Sequence, residues 1–456
     1  MAAKTQFGSK IGLIAATVGS AVGLGNVWRF PAEAQSNGGA AFLILYIICV
    51  LLLGIPVMLA EFSLGRGTGQ DSMSAFSKLA PKKHWWLTGA LAILASYLIL
   101  SFYMVVAGWT FEYFIQSVTG QLYSGVSAIS QEGMDTSFRN RMSEYISGSW
   151  EPLIATYIMI GINILVLING VQKGIERVSN IMMPALFLLL VLFCCAALSL
   201  PAASEGLAYF FKPDFSKISA TTVINALGQA FFSLSLGMGI LVTYSSYFPK
   251  STNLINTSFT VSALDLTVAV LMGIIIFPAV MSFGLDGESL EGATLVFITL
   301  PEVFASMPFP RFWSSLFFLL LMVAALTSTI SLAEVSTAFV SRRFKMGRKK
   351  ACLTVMLPLI ALSSLSSLSQ GPLSGLLIFG MNIFDFLDTV ATNLMLPTSA
   401  LLTCVFLGWI VPKNFLKKEL TNHGKINAKL SVSVIWVIRY VAPLLITIIL
   451  IAKFLQ

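Results

Sequence analysis

The stretch "GSAVGLGNVWRFP", residues 19–31, places Gly23, Gly25, Arg29 and Pro31 inside the first long apolar segment of the chain. An unbroken membrane helix disfavours this composition, because each glycine costs about 1 kcal/mol relative to alanine in a helix interior. Irregular backbone is tolerated at membrane depth only where it is buried in protein or lines a cavity, since hydrocarbon cannot satisfy its N–H and C=O groups. The stretch therefore predicts a helix that is broken in mid-membrane beside a binding site.

The composition of the whole chain identifies the class of protein. Of its 456 residues, 56% are hydrophobic and only 11% are charged, whereas about a quarter of a soluble domain is charged. A chain of 456 residues with so few polar side chains cannot cover a water-exposed surface with them. We therefore predict a polytopic protein of the lipid bilayer. The net charge of +8 does not indicate nucleic-acid binding, because Lys and Arg cluster in short loops on one predicted side of the membrane.

Eleven apolar stretches are long enough to span a bilayer as helices, which takes about 20 residues each. We therefore predict an all-α membrane protein whose spans cover residues 11–34, 40–64, 86–120, 152–170, 175–200, 221–247, 254–284, 310–340, 350–368, 373–410 and 431–454. The basic loops place the N-terminus in the cytoplasm by the positive-inside rule, and an odd number of spans leaves the C-terminus outside. Residues 285–309, which are proline-rich, predict a short helical hairpin over the outer face.

A second glycine interruption occurs five spans later, in "FFSLSLGMGILVTY", residues 231–244, with Gly237 and Gly239 at its middle. Paired glycine-interrupted segments in matching positions of two halves indicate the binding site of a transporter built from inverted repeats. A half-helix that begins in the membrane presents N–H groups to an anion, and one that ends there offers carbonyls to a cation. Close packing of small residues is the alternative, and it explains two matching breaks less well.

Acidic side chains at membrane depth are the other functional signal. Asp265 lies inside the seventh span, where an ionisable group indicates function. Asn26 and Ser233 supply further oxygen ligands in other spans, which favours a cation site; a proton carrier and a structural acid are the alternatives. We assign structural or gating roles to Glu61 and Glu334. The chain carries no Ser/His/Asp or phosphate-loop arrangement, so an enzyme is not predicted.

Four motifs resemble signatures of the neurotransmitter:sodium symporter family, which has the LeuT fold: "GSAVGLGNVWRFP" (19–31), "GIPVMLAEFSLGR" (54–66), "FFSLSLGMGILVTYSSY" (231–247) and "LTSTISLAE" (326–334). The resemblance implies one transporter domain over 1–456, with five-helix repeats at 11–200 and 221–410 and an eleventh helix at 431–454. It also implies a bacterial amino-acid transporter of the inner membrane that uses sodium and no organic cofactor. No oligomer is implied.

The resemblance further implies two sodium sites beside one amino-acid site. The first sodium site would consist of the Ala21 carbonyl, Asn26, Ser233, Asp265 and the substrate carboxylate. The second would consist of the Gly19, Val22 and Ala324 carbonyls with the Thr327 and Ser328 hydroxyls. The substrate would contact Ala21, Leu24, Gly25, Ile99, Tyr103, Phe232, Ser233, Ser235, Met238, Ser328 and Leu332, with its carboxylate at the Leu24 and Gly25 N–H groups and the Tyr103 hydroxyl.

Gating residues are implied at both ends of this site. Arg29 and Asp388 resemble the outer gate pair, with Asp385 as a less favoured partner of Arg29 and Phe232 as a lid. Gly174 and Pro184 resemble a motif that unwinds the fifth helix towards the second sodium site. Such unwinding is physically reasonable, because proline has no N–H to donate to the carbonyl one turn earlier, that of Asn180.

Four positions depart from the pattern of the family or of some of its members. Lys4 and Phe7 replace the common Arg and Trp, and Arg342 stands where some relatives carry an acid. We therefore expect the inner gate to close through different contacts. Asp265 replaces an asparagine of some relatives; because this carboxylate can itself offset the sodium charge, we expect transport to be independent of chloride.

The sequence thus predicts sodium-coupled import of a zwitterionic, hydrophobic or aromatic amino acid by alternating access. The predicted pocket is apolar at Ile99, Phe232 and Leu332, and Met238 adapts its shape. Transport of a small amine or osmolyte is an alternative, although such relatives often place an acid at the position of Gly23. A proton-driven antiporter that uses Asp265 and a sensor that does not transport are the others.

Overall fold

The computed structural model describes residues 6–124, 136–283, 292–412, 414–426 and 430–455. In chain order its helices are α1 (Lys10–Ala21), α2 (Gly25–Ser36), α3 (Ala40–Thr68), α4 (Ser72–Leu79), α5 (Trp86–Thr119), α6 (Thr136–Ser147), α7 (Glu151–Leu167), α8 (Val171–Leu198), α9 (Ala203–Phe211), α10 (Ala220–Ser233), α11 (Ile240–Ser245), α12 (Leu254–Ser282), α13 (Leu295–Ala305), α14 (Pro310–Arg343), α15 (Arg348–Leu368), α16 (Ile383–Ile410), α17 (Asn414–Leu420) and α18 (Ser431–Lys453).

The predicted all-α membrane fold is confirmed, because each predicted span coincides with helix in the described part of the chain. Among the described residues, eight helices are long and apolar enough to cross a membrane without a break: α3, α5, α8, α12, α14, α15, α16 and α18. The three other predicted spans correspond to α1 with α2, to α7, and to α10 with α11. Eleven spans therefore fit the helices. The boundaries of the two five-helix repeats stay a prediction.

Both helices that the glycines predict to be broken are broken. Helix α1 ends at Ala21, Val22 is extended with φ −73° and ψ 103°, and α2 leaves at an angle of 53°. Between α10 and α11, Gly237 and Gly239 have φ values of +78° and +70°, a region that glycine adopts without steric cost. At these two breaks, peptide groups that lack a helical hydrogen-bond partner lie in the centre of the helical bundle.

Buried side chains satisfy the peptide groups that the second break exposes. Glu61 on α3 accepts a hydrogen bond from the Gly237 N–H at 2.7 Å, and the Ser96 hydroxyl on α5 donates to the Met238 carbonyl. The Ser235 hydroxyl donates to the Ser20 carbonyl at 2.7 Å and so joins one break to the other. Buried backbone groups need such partners, which gives Glu61 the structural role expected from the sequence.

The start of α8 differs from the sequence prediction. Pro184 lies inside α8, which stays helical through it, so the expected unwinding at Asn180 is not present here. A π-helical turn occurs instead at Val171–Glu176, after Gly170 with φ +81°. A single proline removes only one helical hydrogen bond, and packed transmembrane helices tolerate that loss.

The segment after α12 is not a hairpin in its described part. Residues 292–305 form one helical segment that ends with α13, while residues 284–291 lie outside the described residues. Phe297 is fully buried, and its ring centre lies 4.9 Å from that of Tyr113 and 6.0 Å from that of Phe318. The segment therefore packs into the bundle, because its aromatic residues bury more apolar surface there than they would over the outer face.

Candidate functional site

Three side chains predicted for the first sodium site converge from three helices. Asp265 on α12 is fully buried, and its Oδ1 accepts a hydrogen bond from the Asn26 amide at 2.8 Å. Its Oδ2 accepts from the Ser233 hydroxyl at 2.7 Å, and the Ser233 hydroxyl also lies 3.3 Å from Asn26 Oδ1. Carboxylate, amide and hydroxyl oxygens are the ligands that hard cations prefer.

Two further side chains belong to this cluster and were missed from the sequence. The Tyr46 hydroxyl donates to Asp265 Oδ2 at 3.2 Å and to the Ser233 oxygen at 3.0 Å. Gln229 donates from Nε2 to the Gly25 carbonyl at 3.1 Å. One signal could have identified Tyr46: it is the single residue with a polar group in the aliphatic run "AAFLILY" (40–46), and a buried tyrosine hydroxyl usually has a partner.

The residues predicted for the second sodium site lie where α1 contacts α14. A Cβ atom placed on Gly19 would be 3.2 Å from the Thr327 Cβ, so the two backbones approach closely. The Thr327 hydroxyl donates to the Ala324 carbonyl at 3.0 Å. Val22, with its extended backbone, follows on the α1 side, and Ser328 lies next to Thr327 on the α14 side. The arrangement offers carbonyl and hydroxyl oxygens without a carboxylate, which suits a monovalent cation.

A small cavity of about 30 Å³ lies between the two breaks. Its lining includes every residue predicted for the substrate site except Leu24, together with Ser20, Gly23 and Ile240; the predicted members are Ala21, Gly25, Ile99, Tyr103, Phe232, Ser233, Ser235, Met238, Ser328 and Leu332. The Leu24 N–H donates to the Tyr103 hydroxyl at 3.0 Å. Two of the donors predicted for a substrate carboxylate therefore meet at the wall of this cavity.

A larger cavity of about 820 Å³ lies on the predicted outer side and is lined by Arg29, Glu33, Asp385 and Asp388 among others. The Arg29 Nε lies 3.8 Å from Glu33 Oε1, one turn later on α2, and its guanidinium lies 4.9 Å from the ring centre of Phe232. Asp388 lines the same cavity without an ion-pair contact to Arg29 in this conformation. The phenyl ring of Phe232 lines the small cavity, and Arg29, whose guanidinium contacts that ring, lines the larger one, so this pair lies between the two cavities.

The end of the bundle that the sequence predicts to be cytoplasmic is closed by aromatic packing around Phe7. The Phe7 ring is buried and packs edge-on against Tyr244 and Tyr247, with centroid distances of 5.9 and 6.2 Å. The Arg342 guanidinium lies 5.3 Å from the ring centre of Tyr247 and donates to the Ser246 hydroxyl at 3.1 Å. Cation–π and hydrogen-bond contacts thus occupy the place where the family pattern has an acid. Lys4 lies outside the described residues.

An ion pair reinforces this closure. Glu334 on α14 is fully buried, pairs with Arg348 at the start of α15, and accepts a hydrogen bond from the Tyr247 hydroxyl at 2.7 Å. A buried carboxylate of this kind is tolerated only when it is paired and hydrogen-bonded. Glu334 therefore links α14, the start of α15 and the turn after α11 on the predicted cytoplasmic side, consistent with the structural or gating role expected from the sequence.

Comparison with known proteins gives matches over the whole helical bundle. The chain fits the sequence model of the sodium:neurotransmitter symporter family over residues 4–150 and 136–456. It is 37% identical over 444 residues to the sodium-dependent transporter YhdH of Bacillus subtilis, with 97% of this chain and 96% of that protein covered. A sodium-dependent transporter of Haemophilus influenzae is 34% identical over 99% of this chain and 98% of its own length. Among solved structures, MhsT in complex with L-phenylalanine superposes with a TM-score of 0.88 at 39% identity, over 99% of this chain and 100% of that one.

Proposed function

Because this chain belongs to the sodium:neurotransmitter symporter family, we propose that it imports a zwitterionic, hydrophobic or aromatic amino acid together with sodium by alternating access. The chain is a sodium-dependent symporter of that family. The observation that supports the finer proposal is the convergence of Asp265, Asn26 and Ser233 beside the cavity between the two helix breaks, which Ser233 lines. We place the protein in a bacterial inner membrane with its N-terminus in the cytoplasm.

The carboxylate of the amino acid would bind at the start of α2. The positive end of a helix dipole and its free N–H groups favour an anion there. The Leu24 N–H donates to the Tyr103 hydroxyl oxygen at 3.0 Å, so these two proposed carboxylate ligands already lie together. A Cβ atom on Gly23 would come within 2.5 Å of the Ser328 Oγ, so glycine keeps this space open. This favours an amino acid over an amine that lacks a carboxylate.

The side chain of the amino acid would face apolar groups. Ile99, Phe232, Met238 and Leu332 line the cavity, and a methionine can adapt its shape to the ligand. MhsT, which is similar over its full length, was solved in complex with L-phenylalanine. Ligand pockets usually measure about 300–1,000 Å³, so the small cavity must widen. Phe232, which lines it and contacts Arg29 of the outer cavity, is the side chain that we expect to move.

Sodium and substrate would be coupled through direct contact. The first sodium site, at the Ala21 carbonyl, Asn26, Ser233 and Asp265, would share its cation with the substrate carboxylate. Each ligand then raises the affinity for the other by the same factor, because coupling free energies are reciprocal. The second site, at Gly19, Val22, Ala324, Thr327 and Ser328, would bind a sodium ion that holds α1 against α14.

This function is tested with the purified full chain in sodium chloride and in potassium chloride. We expect L-phenylalanine to raise the midpoint of thermal unfolding in sodium only, since a ligand at about 100 times its Kd stabilises the folded state by about 2.7 kcal/mol. In proteoliposomes, uptake should require an inward sodium gradient. Uptake that proceeds equally well without the gradient would contradict the proposal. Uptake that ignores sodium and collapses with an uncoupler would indicate a proton-driven antiporter.

We also predict that transport is independent of chloride. Asp265 is a resident negative charge beside the proposed sodium ion, with hydrogen bonds from Asn26, Ser233 and Tyr46 that keep it in place. A second anion is therefore not needed to balance the cation. Replacing chloride by gluconate on both sides of the membrane should leave sodium-driven uptake unchanged, and loss of uptake in gluconate would refute this prediction.

A further inference from the structure

The segment that leads into α1 is bound by a carboxylate that neither proposed ligand site uses. Glu176 is 6% exposed, and its Oε2 accepts a hydrogen bond from the Gly8 N–H at 2.7 Å. Its Oε1 accepts from the Ser9 N–H at 3.0 Å and from the Ser9 hydroxyl at 2.7 Å. The Ser9 oxygen in turn accepts from the Gly12 N–H at 2.9 Å as the N-cap of α1. One carboxylate thus accepts three hydrogen bonds from the two residues that directly precede α1.

The sequence provides space for this contact at one position. A Cβ atom on Gly12 would overlap the carboxyl group of Glu176, whereas one on Gly8 would lie 3.5 Å from Glu176 Oε2, an ordinary contact distance. The close approach of Glu176 to α1 therefore requires glycine at position 12. Because the contact requires both Glu176 and Gly12, we interpret it as a specific contact and not as the chance position of a surface acid.

Glu176 is the last residue of the π-helical turn Val171–Glu176 at the start of α8. Gln172 in the same turn donates from Nε2 to the Gln6 carbonyl at 2.8 Å. π-Helical turns are strained and are often found at functional sites, and Gly170 before this one has a φ of +81°. A rearrangement of this turn would therefore move Glu176 and Gln172 together and release the segment that precedes α1.

The opposite side of the same segment rests on α11 and the residues after it. The Phe7 N–H donates to the Tyr247 carbonyl at 3.2 Å, and the Phe7 ring packs against Tyr244, Tyr247 and Phe248. Residues 6–9 therefore lie between α8 and the Tyr247 region. Movement of α1 away from the bundle must break the contacts on both sides.

We propose that Glu176 is the latch of the cytoplasmic gate: its carboxylate holds α1 in the closed position, and α1 opens the cytoplasmic path only when the turn Val171–Glu176 rearranges and withdraws this group. Hydrogen bonds to an ionised acceptor are roughly twice as strong as neutral ones, so three of them on one carboxylate favour the closed state. The proposal rests on the proposed alternating-access function. It assigns a positioning role to a residue that does not contact sodium or substrate.

The test is amide hydrogen–deuterium exchange of the purified full chain in sodium, without amino acid, for the native protein and for Glu176→Gln. The amide side chain has the same size but presents one acceptor and an NH₂ group where the carboxylate has two acceptors. We expect exchange to rise by about tenfold in peptides that cover residues 6–13 and 171–176. Glu151→Gln, at an exposed acid on α7, is the matched control and should exchange as the native chain does.

A second variant, Gly12→Ala, tests the same contact without changing the carboxylate. It should also raise exchange in residues 6–13, while Gly347→Ala, where nothing lies within 4 Å of the new methyl group, should not. Native exchange in both Glu176→Gln and Gly12→Ala, or a rise spread over all helices, would overturn the proposal. Because no amino acid is present, this result is independent of the proposed substrate, which the sodium-dependent thermal shift of the native chain tests separately.

Discussion

Replacing Asp265 by alanine is expected to abolish the sodium-dependent stabilisation of the chain by an amino acid and to weaken sodium binding by at least about 100-fold. The carboxylate is the one charged side chain among the protein ligands proposed for the first site. Its removal takes away a negative charge beside the cation and also takes one acceptor from each of the Asn26, Ser233 and Tyr46 donors. A hydrogen bond to a charged group contributes about 1.5–3 kcal/mol, and 100-fold corresponds to about 2.7 kcal/mol.

Two comparison variants separate this effect from general damage. Tyr46→Phe removes one donor to Asp265 but keeps the carboxylate, so its loss of sodium affinity should be about tenfold or less. Glu205→Ala removes an exposed acid on α9 and should leave the sodium response unchanged. The measurement is the midpoint of thermal unfolding in a titration with sodium chloride at constant ionic strength. A native sodium response in Asp265→Ala would rule out the proposed first site.

The helix breaks could be predicted from the sequence because their cause is local. Glycine pairs such as Gly23 with Gly25 and Gly237 with Gly239 stand out in apolar runs, and the physical reason for them acts within a few residues. Asp265 could be singled out for the same reason, since a lone carboxylate in a span is costly wherever its partners come from. Such residues can be recognised from the residues next to them in the sequence.

The partners of these residues could not be predicted in the same way. Arg29 lies closer to Glu33 on its own helix than to Asp388, its predicted partner. A residue one helical turn away is always within reach, whereas the distance from Arg29 to α16 depends on the conformation of the whole bundle. Tyr46 contacts Asp265 from 219 positions away in the sequence. In the sequence Glu176 is one more charged residue in a basic loop, and only packing against Gly12 distinguishes it.

Pro184 shows a local rule that the tertiary structure overrides. Proline has no N–H, so the sequence predicts a weak point one turn earlier in α8. The helix nevertheless continues through it, and the irregular turn lies at Val171–Glu176, where Gly170 and Gly174 permit it. Packing against neighbouring helices can compensate for one missing hydrogen bond, so a proline alone does not fix the position of an irregular turn.

Replacing Gly23 by alanine is the second change with a large expected effect: amino-acid binding should fall by more than about 100-fold. The new methyl carbon would lie 2.5 Å from the Ser328 Oγ and 2.9 Å from the Tyr103 hydroxyl, closer than packed atoms approach. It would also occupy the space that we assign to the substrate carboxylate. Hydrogen bonds to a charged group contribute about 1.5–3 kcal/mol each, so losing two of them gives a change of this size.

Two other glycines make this prediction specific. Gly161→Ala on α7 places its methyl group where nothing lies within 4 Å and should bind the amino acid as the native chain does. Gly25→Ala brings its methyl group to 2.9 Å from two ring carbons of Phe232, a side chain that can turn towards the outer cavity, so its loss should be nearer tenfold. Binding is measured with radiolabelled L-phenylalanine in sodium. If Gly23→Ala binds as well as Gly161→Ala, the carboxylate is not bound at the start of α2.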